Sequence, residues 1–348
     1  MHIYKWKWGA RLPYLLDEAG TMEKISLNAH AKLNLSLEVV GRRDDGYHNI
    51  VSLMQGIDLC DTITIKKCPQ NGTKYNLPHC TLDGLAVYLC TDASTIPTDM
   101  NNLALKGVAT LLEAAKDIKP DYADFTKEAG ALMIEIEKRL PVAAGIAGGS
   151  GNAAASMLGL NALMGYPFAL RELMDIGAGV GADVPFSLFM NTSRNRTILG
   201  RLKGVDEASD AAWIGGIGDE VKAAEPVPRY VILANPGISV STAEAYRAID
   251  EIGYDESCGK GTLFVNDLEK YTLANYPEAA ELKKQMEDTL DADVILMSGS
   301  GPTMAAYYTN EEKACCDAAA FAEKPAEKKG RRVWLSTTGI THEEALTQ

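Results

Sequence analysis

Two periods of apolar residues divide this chain. From Ile25 the period is two: Ile25, Leu27, Ala29, Ala31, Leu33, Leu35, Leu37 and Val39 fall on one face, and Ser26, Asn28, His30, Lys32, Asn34, Ser36 and Glu38 on the other. That alternation predicts a half-buried strand with Lys32 and Asn34 side by side on its polar face. Leu132, Ile134 and Ile136 alternate with Met133, Glu135 and Glu137 in a second strand. Ile63 with Ile65, Tyr230–Ala234, Met304 with Ala306 and Tyr308, and Val333–Leu335 add strand material, while Lys66–Asp83 is polar and reads as hairpin and loop. Helical spacing governs three other stretches. One runs from Asn102 through Leu103, Leu105, Val108, Leu111 and Leu112. A second starts at Asn152 and carries Ala153, Ala154, Met157, Leu158, Leu160, Asn161 and Leu163 as an apolar stripe, and the third is Phe168–Ala178.

Between the second strand and the second helix lies Leu140–Ala155, with Gly145, Gly148, Gly149 and Gly151 inside seven positions. A strand, a glycine-rich loop and a helix start present unpaired N–H groups and a positive dipole end to an anion, with no side chains to keep a phosphate away. A plain left-handed turn would use the same composition. The loop lacks the lysine of a P-loop, since no Lys or Arg lies between Leu140 and Arg171, and neither the dinucleotide-binding fingerprint nor the protein-kinase signatures are present. Further on, Asp183 precedes Val184-Pro185 at a helix start. Locally it reads as an N-cap worth about 1 kcal/mol; paired with Lys32, it reads as a base for a hydroxyl.

Pro141-Val-Ala-Ala-Gly-Ile-Ala-Gly-Gly-Ser-Gly-Asn-Ala-Ala154 resembles, over its whole length, the phosphate loop of the GHMP kinases, the small-molecule kinases of galactose, homoserine, mevalonate and phosphomevalonate. Ala29-His-Ala-Lys-Leu-Asn-Leu35, Gly41-Arg-Arg43 and Asp45-Gly-Tyr-His48 resemble one branch of that family, whose acceptor is a cytidine diphosphate-linked methylerythritol. Gly181–Phe186, Asn235–Thr242, Asn266–Glu269 and the third glycine motif, Leu296–Thr303, also match. His30 departs from the pattern where proline is usual, Ala143, Ala144 and Ala147 where glycine is, and Gly151 where serine is frequent.

The resemblance implies a two-domain α+β fold with the active site in the cleft between the domains. Residues 22–227 would form a ribosomal-protein-S5-type ATP-binding domain, and 228–348 a ferredoxin-like domain. Residues 1–21 read as an extension without chemistry, and 191–211 as an inserted surface loop or hairpin near the nucleotide. It further implies ATP held by Asn102 and by Pro141, Val142, Ala143, Ala144, Gly145, Ile146, Ala147, Gly148, Gly149, Ser150, Gly151 and Asn152. For Asn102 a helix-capping role reads equally well. Lys32 and Asp183 would be catalytic, Asn34, Tyr47, His48, Thr242 and Tyr246 would bind the acceptor, and Mg²⁺ would bridge phosphates with few protein ligands. Another GHMP kinase, such as one for homoserine, and a catalytically silent nucleotide-binding relative are the alternatives.

Charge narrows the partners. With 34 basic and 47 acidic residues the formal charge is −13, which argues against non-specific nucleic-acid or anionic-membrane binding. No apolar run reaches transmembrane length. The seven cysteines show no C-x-x-C spacing and read as reduced thiols of a cytoplasmic protein. A small-molecule acceptor is then the expected partner of a monomer or homodimer.

Overall fold

The computed structural model describes residues 14–16, 22–68, 79–82, 84–118, 122–142, 144–253, 261–323 and 332–338. Within the expected extension, β1 (Tyr14–Leu16) lies antiparallel on the edge of β2 (Met22–Asn34). The predicted long strand thus ends at Asn34, and its outer part resumes as β3 (Glu38–Arg42). Ser36 makes the break: its carbonyl accepts from Ser52 Oγ at 2.5 Å and its hydroxyl accepts from the Leu53 N–H at 2.9 Å, replacing regular ladder bonds. Nor is one face polar and exposed. From His30 to Val39 both faces are buried, because structure covers the sheet on either side.

The sheet's longest strand, β4 (His48–Lys67), pairs with β2, β3 and several later strands. β5 (His79–Leu82) and β6 (Leu85–Thr91) form a hairpin. Then α1 (Leu103–Ile118) and α2 (Tyr122–Ala129) cross over to β7 (Ala131–Glu137), which is parallel to β6 and antiparallel to β4. α3 (Gly148–Leu163) follows the glycine loop and starts four residues before the expected Asn152. It is buried on every side from Gly151 to Leu163 rather than along one stripe, as befits a helix enclosed by its neighbours. α4 (Leu170–Ala178) and α5 (Val184–Arg194) complete the helical layer, and β8 (Ala211–Gly215) with β9 (Glu220–Ala224) returns to β4.

The remaining chain runs β10 (Arg229–Asn235), α6 (Thr242–Ile252), α7 (Glu269–Asn275), α8 (Pro277–Thr289), β11 (Val294–Met297), β12 (Met304–Tyr308), α9 (Glu311–Glu323) and β13 (Arg332–Thr338). Its strands are all antiparallel in the order β11-β12-β10-β13, the ferredoxin-like arrangement. A single pair, Thr338 with Ile57, joins this sheet to β4. One core lies between the helical layer and the first sheet, with Ile25, Leu27, Ile63, Ile134 and Leu158 in it. A second lies between the two parts of the chain, where Ala31, Leu33 and Ile57 meet Val231, Leu233 and Tyr307. The junction is therefore a core in its own right, and both β2 and β4 contribute side chains to each core. Among the described residues no helix is long and apolar enough to cross a membrane.

Residues 191–211 begin inside α5 and continue through turns and a 3₁₀ turn at Val205–Glu207, with their inward side anchored to the fold. Asn191 continues α5 and donates to Ser187 O, while its Oδ1 accepts from the His30 N–H at 2.8 Å. Asn195 brackets Asn28 with bonds to its N–H and its carbonyl. Leu199, Leu202, Val205 and Ala208 are buried. The Arg194 guanidinium is buried against Asp210 and Asp58, and the two carboxylates hold its pKa above the ordinary value despite burial. The apolar positions here are too irregularly spaced to show a helical or strand period, and the polar ones are satisfied by residues distant in sequence. The segment braces β2 and β4, and none of its residues lines the cleft described below.

Candidate active site

α3 begins with no side chain over its end. Its N-cap is Ala147, which makes no capping hydrogen bond and stands at φ 55°, a left-handed backbone that costs an L-residue about 1–2 kcal/mol. The first-turn amides of Gly148, Gly149 and Ser150 are thus left to whatever occupies the cleft in front of them. Gly145 is also left-handed, at φ 74°, and a Cβ there would stand 2.6 Å from Ser298 O and 2.7 Å from Gly301 O. Only glycine allows that approach, and it brings the third glycine motif onto the phosphate loop. Ser298 Oγ reinforces the contact, donating to Gly145 O at 3.2 Å and accepting from the Asn34 N–H at 3.4 Å.

Lys32 stands on β2 just beyond the bulge between His30 and Lys32. Its N–H donates to Ile146 O at 3.1 Å, which ties the strand to the loop. Its ammonium donates to Asn34 Oδ1 at 2.7 Å and lies 3.5 Å from Asp183 Oδ2, with the lysine side chain 4% exposed. Asn34 is itself held, donating to Ser52 Oγ at 2.9 Å. Asp183 occupies the N-cap position of α5 without capping it; its carboxylate turns to Lys32 instead. The local reading of Asp183 as a cap is therefore not realised.

These groups line one cleft of ≈ 970 Å³, at the upper end of what a single small ligand fills and roomy enough for two. One limb runs along the glycine loop to Ile96, Pro97, Asn102 and Leu103; the other reaches Tyr47, His48, Thr242 and Tyr246. Lys32 and Asp183 lie on the walls of this same cleft. In the loop, Pro141, Val142, Ala144, Gly145, Ala147, Gly148, Gly149, Ser150 and Asn152 face the cavity. Among the described residues nothing hydrogen-bonds the buried Asn152 Oδ1, an acceptor that suits a bound donor or hydrated cation.

Three loop expectations need correction or restriction. Ile146 is 1% exposed and packs into the second core, so its side chain does not line the cavity. Gly151 faces β2, not the cavity: a Cβ there would lie 2.8 Å from His30 O. Its lack of a side chain serves the close approach of helix and strand, not a phosphate contact. Ala143 lies outside the described residues. Asn102 caps α1, accepting from the Ala104 N–H at 3.0 Å and donating to Pro97 O at 2.7 Å, so the capping reading is realised while the residue still borders the cleft.

The second limb is more tightly organised than the sequence suggests. Thr242 Oγ1 lies 2.8 Å from Ser300 Oγ. Tyr246 stacks on the His48 imidazole, with ring centroids 5.6 Å apart and planes at 24°. Burial first, and the Asp183 charge second, push the Tyr246 hydroxyl pKa upward. Tyr47 stands outside, 62% exposed. Sequence reasoning missed Asp250, which bonds to His48 and Arg42. Its spacing of four from Tyr246 on a helix was the available signal. It also missed Asp61, fully buried, which accepts from Lys138 Nζ at 2.6 Å and from the N–H groups of Arg139 and Leu140 at 2.7 and 2.8 Å. That carboxylate anchors the start of the phosphate loop across 77 residues of chain, and no local pattern reveals it. Among the described residues no group of three or more His, Cys, Asp or Glu could hold a metal ion.

An uncapped helix start in a glycine loop and a lysine–carboxylate pair line one cleft, an arrangement suited to a small molecule that carries phosphate. Residues 102–191 match the GHMP kinases N terminal domain, a class that uses ATP. The 4-diphosphocytidyl-2-C-methyl-D-erythritol kinases of Geobacter sulfurreducens and Geobacillus kaustophilus are 33% and 36% identical to the chain, over 90% and 83% of it and 98% and 90% of their own lengths. A crystal structure of a 4-(cytidine 5'-diphospho)-2C-methyl-D-erythritol kinase superposes with a TM-score of 0.65 at 26% identity, covering 91% of this chain and all of that one. The chain belongs to the 4-diphosphocytidyl-2-C-methyl-D-erythritol kinase family.

Proposed function

We propose that this protein phosphorylates the 2-hydroxyl of 4-diphosphocytidyl-2-C-methyl-D-erythritol with ATP, in the non-mevalonate isoprenoid pathway, with Asp183 as general base and Lys32 as charge stabiliser. The observation that carries the roles is the 3.5 Å approach of Lys32 Nζ to Asp183 Oδ2 inside the cleft, in front of the α3 start. The names of the relatives support the acceptor.

ATP supplies the phosphoryl group, and Mg²⁺, when bound with it, would supply neutralising charge to the triphosphate. The open amides of Gly148, Gly149 and Ser150 hold those phosphates, with the glycines keeping side chains out of the way. Asn152 Oδ1 would be the protein oxygen available to a hydrated Mg²⁺, which needs few protein ligands. Asn102 and Leu103 line the base limb.

A tertiary alcohol is a very weak acid, so its oxygen attacks only as its proton leaves. Asp183 accepts that proton while Lys32, 3.5 Å from the carboxylate, stabilises the developing alkoxide. The hydrogen bond from Lys32 to Asn34 Oδ1 fixes the ammonium, so little reorganisation accompanies the charge shift. Asn34 orients the erythritol. Tyr47 and Tyr246 flank the cytosine, His48 meets its polar edge, and Thr242 borders the linking diphosphate.

The test is ADP release with the diphosphocytidyl acceptor, homoserine and mevalonate offered separately. Turnover with the first and not the others is expected. Preference for another alcohol, or ATP binding with no acceptor-dependent ADP, would refute the proposal.

A further inference from the structure

The acceptor limb is closed by a three-way contact that the chemistry above does not use. Arg42 and His48 stand directly opposite each other in the β3–β4 hairpin. α6, from the other part of the chain, presents Tyr246 and Asp250 one helical turn apart and hence on one face. Asp250 divides its oxygens: Oδ1 lies 2.8 Å from His48 Nε2, and Oδ2 lies 3.2 Å from Arg42 Nη1. Tyr246 covers the same imidazole with its ring. All four residues border the cleft.

We propose that Asp250 is a positioning residue for the acceptor's nucleobase, holding the His48 imidazole and the Tyr246 ring in the arrangement that receives it. The inference rests on the cytidine-linked acceptor proposed above. An ionised carboxylate only accepts hydrogen bonds, so His48 Nε2 must carry the proton in this contact. Ring stacking alone orients weakly, but a carboxylate one turn along the same helix prevents α6 from sliding and sets the Tyr246 plane. The Asp250 side chain is a quarter exposed and that of Arg42 more than half, so solvent screens the ion pair and its worth is geometric rather than energetic. Arg42 also neutralises a carboxylate that would otherwise repel the anionic diphosphate of the acceptor.

The test uses the full chain and CDP as probe, which needs no turnover. Asp250→Ala should weaken CDP binding by about tenfold in calorimetry, the scale of one charge-assisted hydrogen bond after screening, with ATP affinity within about twofold. Asp250→Asn keeps an amide oxygen that accepts from Nε2–H and should recover most of the loss. Nitrogen-15 spectra should show His48 protonated at Nε2 in the wild type. In turnover, the acceptor KM should rise far more than kcat falls. CDP binding unchanged in Asp250→Ala, equal losses for CDP and ATP, or an asparagine variant no better than alanine would each overturn the positioning role. A wild type that does not bind CDP would sink this inference and the cytidine-linked acceptor together. CDP binding without phosphoryl transfer would sink only the proposed reaction.

Discussion

Lys32→Met removes one cation and keeps most of the side-chain volume. The ammonium lies 3.5 Å from Asp183 Oδ2, and at an effective dielectric of about 20 a unit pair at that spacing interacts by about 5 kcal/mol. That is a ceiling, because the Asp183 side chain is one-third exposed and water replaces part of the lost interaction. What reaches the rate is the share felt by the developing alkoxide, and loss of one preorganised donor to such an oxyanion lowers kcat by about 10²–10³. ATP affinity should stay within about threefold, since Lys32 holds the phosphate loop through its backbone N–H to Ile146, which methionine retains. Asn34 Oδ1 loses its partner, which costs about 1–3 kcal/mol of stability without unfolding a chain with cores this extensive. Acceptor-dependent ADP release at saturating substrates, beside a circular-dichroism melt, gives both quantities. A folded Lys32→Met protein with kcat within about tenfold of wild type would refute the charge-stabilising role.

Three further outcomes follow from the geometry. Asp61→Asn strips the charge from a fully buried carboxylate that holds Lys138 and two loop amides; it should cost about 3–5 kcal/mol and raise the ATP KM, and a melting temperature within about 2 °C of wild type would contradict it. Ala147→Gly relieves the left-handed φ of 55° against the extra freedom glycine gains when unfolded, for a net gain of about 0.5–1 kcal/mol; a lower melting temperature would contradict it. Gly151→Ala places a methyl 2.8 Å from His30 O, forcing α3 and β2 apart two residues from Lys32. Stability should fall by about 1–3 kcal/mol and kcat with it, and a variant unchanged in both would show that the strand yields freely there.

The strand–glycine loop–helix order and the pairing of Lys32 with Asn34 were legible in the chain because each depends on neighbours in sequence. Alternation along β2 sets Lys32 and Asn34 on one side whatever lies around them, and four glycines within seven residues open a helix start to anions in any setting. Other features depended on distant residues. Nothing near Asp183 says whether it caps α5 or turns to Lys32; only the fold, which brings the two within 3.5 Å across 151 positions, decides. The stretch 191–211 looked like a loop because its apolar residues keep no period, yet Asn191 and Asn195 bind backbone on β2 and Arg194 finds its carboxylates on β4 and before β8. Asp61 and Asp250 were invisible for the same reason: a hydrogen bond is made between groups close in space, and local periodicity records only which way a side chain points, not what it will meet.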